Sequence, residues 1–309
     1  MRGVRMEIIK VAILELGADD NQTMPIYMGT DIEGKFENEH AENVYKKITN
    51  KNADGVELYL LPKTKGGLKW CLDNGVHIVS MSALDWDVVG GDEIKQKYIE
   101  KYEKPLLKQA FCICGAGNDG DNGESSASQR GWFAVGAVDK NFMPRSYSSW
   151  GLSEVDCVAV DGLDGDFGTS YSAPVITDGA IDFAIMHRRF TGFVPNNPYH
   201  YKEHVLDNCF DVWEPGWDKR TGAGVYRRPT RWIFKLVDFT VDELEYKVRR
   251  IVAYNNGNMT SDKPVTVVGD VKPKIENGRI TLSATNLSNV FGFSKAWDQS
   301  TQKATYSGR

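Results

Sequence analysis

The sequence predicts an α/β protein, with a mostly parallel sheet flanked by helices over residues 1–230 and a small α+β module over residues 231–309. Three observations predict it. Apolar runs that read as buried strands alternate with amphipathic stretches that read as helices, the arrangement that builds a parallel sheet. At two places an apolar run gives way to a Gly-rich stretch, where backbone can approach a ligand closely. Beyond Thr230 the apolar residues alternate instead with polar ones, as in hairpin strands.

In chain order, Met6–Leu16 (MEIIKVAILEL) reads as a buried strand with Glu15 at its carboxyl end. A polar loop from Ala18 to Glu39 follows. Ala41, Val44, Tyr45 and Ile48 then share one helical face, which puts His40 in that helix's first turn. Val56–Leu61 is a strand, Gly66–Asn74 a helix and His77–Ser82 a strand. Asp92–Ala110 is a long charged helix leading into Phe111–Asn118, and Trp132–Val138 and Val155–Val160 are further strands. An apolar helix follows Pro174, whose missing donor is harmless in a first turn. Thr191–His200 is turn-rich, His204–Trp213 is a short helix, and Thr221–Tyr226 returns to extended chain. In the tail, Phe234–Val241 and Leu244–Val248 form a hairpin and Val265–Val268 a third strand. Lys274–Gly278 is a turn, and Arg279–Leu282 leads to a short helix around Thr285–Phe291.

Composition narrows the function classes. The net charge of −5 argues against a nucleic-acid partner, because Arg188-Arg189 and Arg227-Arg228 are too short to build a basic surface against it. The five cysteines are scattered and odd in number, so reduced, buried thiols are expected rather than a disulfide framework or a metal site. No long uncharged apolar stretch occurs, which predicts no membrane-spanning segment and no conventional signal peptide. The expected location is the cytoplasm, with a phage-associated particle or release by a non-classical route as alternatives.

Four residues could carry chemistry. Ser170 lies in Gly168-Thr169-Ser170-Tyr171-Ser172-Ala173-Pro174, where a helix start offers unpaired N–H groups to a developing negative charge. An ordinary capping serine is the other reading of that position. Asn118, in Gly115-Ala116-Gly117-Asn118 after a strand, can aim its amide at an oxyanion; a plain turn is the other reading there. His40 could serve as a general base or be structural, and Glu15 could enter a site at its strand's end.

Together these segments resemble the subtilisin-like serine proteases. GTSYSAP at Gly168–Pro174 is close to that family's nucleophile segment, with Ser172 where the pattern has alanine, and it marks Ser170 as the nucleophile. CGAGNDG at Cys114–Gly120 resembles the segment whose asparagine completes the oxyanion hole. HAENV at His40–Val44 is similar to the catalytic-histidine helix, with Ala41 replacing glycine. GLKWCLDNGVHIVSMS at Gly67–Ser82, FAVGAVD at Phe133–Asp139 and YSSWG at Tyr147–Gly151 extend the resemblance over roughly Glu7 to Tyr226.

The resemblance implies a serine endopeptidase with Ser170 as nucleophile, His40 as general base and acid, Glu15 as orienting carboxylate and Asn118 in the oxyanion hole. It also implies that an extended peptide pairs with the edge at Ser82-Ala83-Leu84, where Leu84 replaces the usual glycine, beside a pocket at Gly115, Ala116 and Gly117. Glu15 stands where the family has aspartate, and its extra methylene displaces the carboxylate by about 1.5 Å unless the backbone compensates. Orientation of His40 by Asp19, Asp20 or Asp31 is one alternative, and a protease-like fold retained only for binding is another. No inhibitory propeptide is expected before the first strand. The chemistry needs no cofactor, and a structural calcium is the one metal in view, through Asp161, Asp164 and Asp166, which as loop residues could equally be solvated. The tail segment Ile275–Tyr306 resembles the small accessory domain named after the amino-terminal domain of copper amine oxidases, without implying copper. Such a module fits adhesion, assembly as a homo-oligomer or on a particle or cell surface, or substrate delivery.

Overall fold

The computed structural model describes residues 7–16, 27–28, 39–82, 96–120, 126–151, 155–162, 167–239, 245–254, 259–261, 265–268, 274–276, 279–281, 294–298 and 303–307. The chain divides into two compact units, Met1–Arg228 and Pro229–Arg309.

The first unit is built on nine strands: β1 (Ile9–Leu16), β2 (Tyr27–Met28), β3 (Val56–Pro62), β4 (Ile78–Met81), β5 (Phe111–Gly115), β6 (Phe133–Val138), β7 (Cys157–Val160), β8 (Cys209–Phe210) and β9 (Val225–Tyr226). Their spatial order is β2-β3-β1-β4-β5-β6-β7-β9-β8. All neighbours from β3 to β9 pair in parallel, and the short edge strands β2 and β8 pair antiparallel. The chain leaves β1 for β3 on one side and returns to β4 on the other. The carboxyl end of β1 is therefore a topological switch point, the crevice where open α/β sheets bind ligands.

Alternation along β1 assigns its two faces. Ile9, Val11 and Ile13 enter a core with Val44, Tyr45 and Ile48 around helix α1 (Glu39–Lys46), while Ala12 and Leu14 enter the opposite core with Leu68 and Cys71 of α2 (Lys65–Asp73) and Leu106 of α3 (Lys104–Gln109). Glu15 shares the parity of Ile13, so it lies on the α1 face. The β1–β3 register slips between Leu14 and Leu16, and a bulge of this kind re-aims the side chain it carries. Helix α4 (Ala173–Thr191) crosses the same face, with Ile176, Ala180, Ile181 and Ala184 buried, and ends at Gly192 in the left-handed region.

Glu103, in a π-helical turn at Ile99–Glu103 that leads into α3, is fully buried. It accepts hydrogen bonds from Arg130 Nε and Trp132 Nε1, each at 2.8 Å, and from Arg130 Nη2. Removing one partner of such a pair strands a buried charge. Arg130→Ala should cost about 3–5 kcal/mol, read as a lowered denaturation midpoint with an unchanged denaturant slope.

The structure moves one expected helix. Residues His204–Trp213 do not form it; α5 is Pro198–Asp207, started by Asn197, whose side chain accepts the N–H of Tyr199, with Pro198 in the first turn. This start lies inside the stretch read as turns. The free cysteines Cys71, Cys112, Cys114 and Cys157 are buried, and that burial pushes their thiols up and keeps them protonated.

In the second unit, β10 (Arg231–Phe239) and β11 (Glu245–Tyr254) form an antiparallel hairpin, extended by β12 (Met259–Ser261) and β13 (Val265–Val268), which both pair with β11. The sequence reading missed β12. It also read Lys274–Gly278 as a turn, whereas β14 (Lys274–Glu276) pairs with β15 (Arg279–Thr281). A final hairpin joins β16 (Ser294–Asp298) to β17 (Lys303–Ser307). The helix expected around Thr285–Phe291 lies outside the described residues.

Candidate active site

The carboxyl ends of β1, β4 and β5 and the start of α4 converge on one site. Glu15 accepts the backbone N–H of Ser82, just past β4, through Oε1 at 2.5 Å. Its Oε2 lies 3.9 Å from Nδ1 of His40, an ion-pair distance longer than a direct hydrogen bond. The Glu15 side chain is only 5% exposed, against 44% for His40. Burial raises the Glu15 carboxyl from its ordinary value to about 7, against the opposing effect of its hydrogen bonds from Ser82. The acid is therefore poised to change charge near neutrality.

His40 occupies the first turn of α1, anchored by buried Ala41, Val44 and Tyr45. Its ring packs against Tyr171, with centroids 5.4 Å apart. Tyr171 follows Ser170 directly, so the imidazole lies near both the Glu15 carboxylate and the turn that carries Ser170. That turn is a 3-10 segment, Thr169–Tyr171, running into α4. Ser170 lies among its first residues, whose N–H groups have no carbonyl within the turn to bond. The neighbouring Ser172 is placed differently: it is fully buried, and its hydroxyl donates to the carbonyl of Ala159 in β7 at 3.0 Å.

Asn118 follows β5 on an exposed loop. Its Oδ1 accepts from the Thr169 N–H at 2.9 Å and from the Thr169 hydroxyl at 3.2 Å, which turns the amide NH2 the other way. Gly117 N–H donates to the Thr169 hydroxyl oxygen at 3.2 Å. Thr169 thus ties the Asn118 loop to the serine turn. Gly115 permits the close approach, since a Cβ there would meet the Ser82 carbonyl oxygen at 2.5 Å and Thr169 Oγ1 at 2.8 Å. Gly115→Ala should force the two segments apart and cost about 1–3 kcal/mol, measured as a lowered denaturation midpoint.

The structure brings Glu15, His40, Asn118, Ser170, Ser82 and Gly115–Gly117 to this end of the sheet. Ala83 and Leu84 lie outside the described residues, as do Asp19, Asp20 and Asp31. Of the calcium candidates, Asp164 and Asp166 also lie outside them. Asp161 does not fit a cation: Arg145 donates to both its oxygens at 2.9 Å, and Tyr147 donates to Oδ2. Among the described residues no cluster of three His, Cys, Asp or Glu could hold a metal. Tyr171 and Thr169 stood inside a recognisable segment, but their contacts are tertiary and carry no local signal.

The sheet order and flanking helices define the subtilisin-like α/β fold. Solved structures that share it include a lanthipeptide protease, at 16% identity and a TM-score of 0.53, covering 71% of this chain and 86% of that one. The prenylagaramide maturation protease PagA matches at 19% identity and 0.52, covering 71% and 90%. The patellamide maturation protease PatA matches at 18% identity and 0.51, covering 72% and 95%. No protein-family model matches the sequence, and no curated protein sequence matches it. Among the described residues no helix is long and apolar enough to cross a membrane.

Proposed function

We propose that the first unit is a serine endopeptidase. The observation that carries this reading is that the His40 imidazole lies 3.9 Å from the Glu15 carboxylate and packs against the ring of Tyr171, the residue after Ser170. Ser170 Oγ attacks the peptide carbonyl while His40 takes its proton. His40 then returns that proton to the leaving amine, and water hydrolyses the acyl-enzyme by the reverse sequence. Asn118 and the Ser170 N–H stabilise the tetrahedral oxyanion, where one such donor is worth about 3 kcal/mol. Glu15 holds the tautomer of His40 that leaves the other ring nitrogen free to accept, and it stabilises the imidazolium. An extended peptide adds to the edge at Ser82–Leu84, with a side chain entering beside Gly115, Ala116 and Gly117.

The names of the structural neighbours, a lanthipeptide protease and two maturation proteases, support a processing role on a peptide substrate. The second unit acts as a non-catalytic accessory module, in assembly, adhesion or substrate delivery. A second reading, a protease-like protein retained for binding, draws on the Glu15–His40 separation, which exceeds a hydrogen bond. Incubation with a peptide library, followed by product mass spectrometry at several pH values, decides between the two. The protease reading expects discrete cleavage products, and their absence throughout would leave the binding role.

A further inference from the structure

Tyr147 spans the two segments that carry the proposed oxyanion donors. Its backbone carbonyl accepts the N–H of Gly120, two residues past Asn118, at 2.8 Å. Its hydroxyl accepts the N–H of Gly168, two residues before Ser170, at 2.9 Å. Gly168 has φ 141° and ψ 151°, a conformation that favours glycine and that its neighbours must hold in place. The next residue, Thr169, gives its N–H to Asn118.

The Tyr147 hydroxyl is itself held from below. The Tyr147 hydroxyl donates its single proton to Asp161, whose carboxylate is completely buried and clamped by Arg145 through Nε and Nη2. The Gly168 N–H can only donate, so the phenol oxygen accepts from it while giving its own proton to Asp161. Donation therefore runs from Gly168 through Tyr147 to Asp161, where Arg145 donates from the other side, and the series links this ion pair to the nucleophile turn. We infer that Tyr147 is a positioning residue that sets the distance between the two oxyanion donors, the Asn118 amide and the Ser170 N–H. This rests on the protease reading above.

Tyr147→Phe deletes the hydroxyl and keeps the ring and the carbonyl bond to Gly120. With a chromogenic peptide substrate, KM should stay within about twofold while kcat falls roughly ten- to a hundredfold. A peptide boronate, which mimics the tetrahedral adduct, should bind more weakly by the same factor, and the corresponding product peptide should bind as before. A merely structural tyrosine would lower the melting temperature without that split. Parental kcat and parental boronate affinity in the folded variant would overturn the inference. Should the phenylalanine variant fail to fold, Tyr147→Leu removes the same hydroxyl and keeps the backbone carbonyl bond to Gly120, and parental boronate affinity there would overturn it equally. A parent protein that neither turns over the substrate nor binds the boronate would remove the protease reading itself, and the inference with it.

Discussion

Ser170→Ala should lower kcat for peptide hydrolysis roughly a millionfold, to the level of the assay background. The magnitude follows from what alanine removes. In the proposed mechanism the Ser170 hydroxyl, activated by His40, forms the acyl bond, and its loss leaves the neighbouring serine as the candidate to replace it. Ser172 cannot, because it is fully buried with its proton donated to the Ala159 carbonyl. The variant should keep its fold, since Ser170 Oγ lies at the site rather than in either core, so the melting temperature should change little. Substrate should still bind with near-parental affinity. Any residual acceleration, up to about 10³–10⁴ over water, would come from the oxyanion donors and from binding.

Glu15→Gln should separate activity from stability. Loss of the orienting charge is expected to lower kcat about 10⁴-fold, the scale seen when a triad carboxylate becomes an amide and selects the wrong tautomer. Stability should move the other way. The buried carboxyl titrates at about 7, above its ordinary 4.5, so between these values the folded protein binds more protons than the unfolded chain. Stability is therefore fully present below about 4.5 and declines as pH rises through about 7, by on the order of 3 kcal/mol. The neutral amide escapes that decline and keeps an oxygen for the Ser82 N–H. Denaturant melts should show the variant more stable than the parent at pH 8 and nearly equal to it at pH 4. The same titration predicts that parental activity climbs with pH through about 7, as Glu15 ionises.

Much of the fold was legible because the signals were local. The apolar runs that became β1, β3, β4, β5, β6 and β7 alternate with amphipathic segments, and Ala41, Val44 and Tyr45 on one face of α1 placed His40 in its first turn. Where local signals competed, the reading slipped. Asn197-Pro198 is a helix start by capping and by proline's fixed φ, yet it stands in a run of turn-forming residues that hid it. Strands β12 and β14 are too short to show a period.

The site was legible as segments and not as geometry. GTSYSAP and CGAGNDG could be matched as strings, but that Thr169 stitches one to the other is a contact across about fifty residues. The Glu15 substitution was visible in VAILELG, whereas its consequence was not. Its carboxylate position depends on the register slip at the end of β1 and on the Ser82 N–H, and its raised pKa depends on burial by the whole sheet end. Tyr147 could be read as part of YSSWG, while its partners Gly168 and Asp161 are set by folding.

The central claim is that His40 activates Ser170, and covalent labelling tests it most directly. The protein is treated with a fluorophosphonate, digested, and mapped by peptide mass spectrometry, with His40→Ala in parallel. The account predicts one adduct, on Ser170, formed rapidly in the parent and lost in His40→Ala. Absence of an adduct, an adduct on Ser172, or equal labelling of both proteins would contradict it.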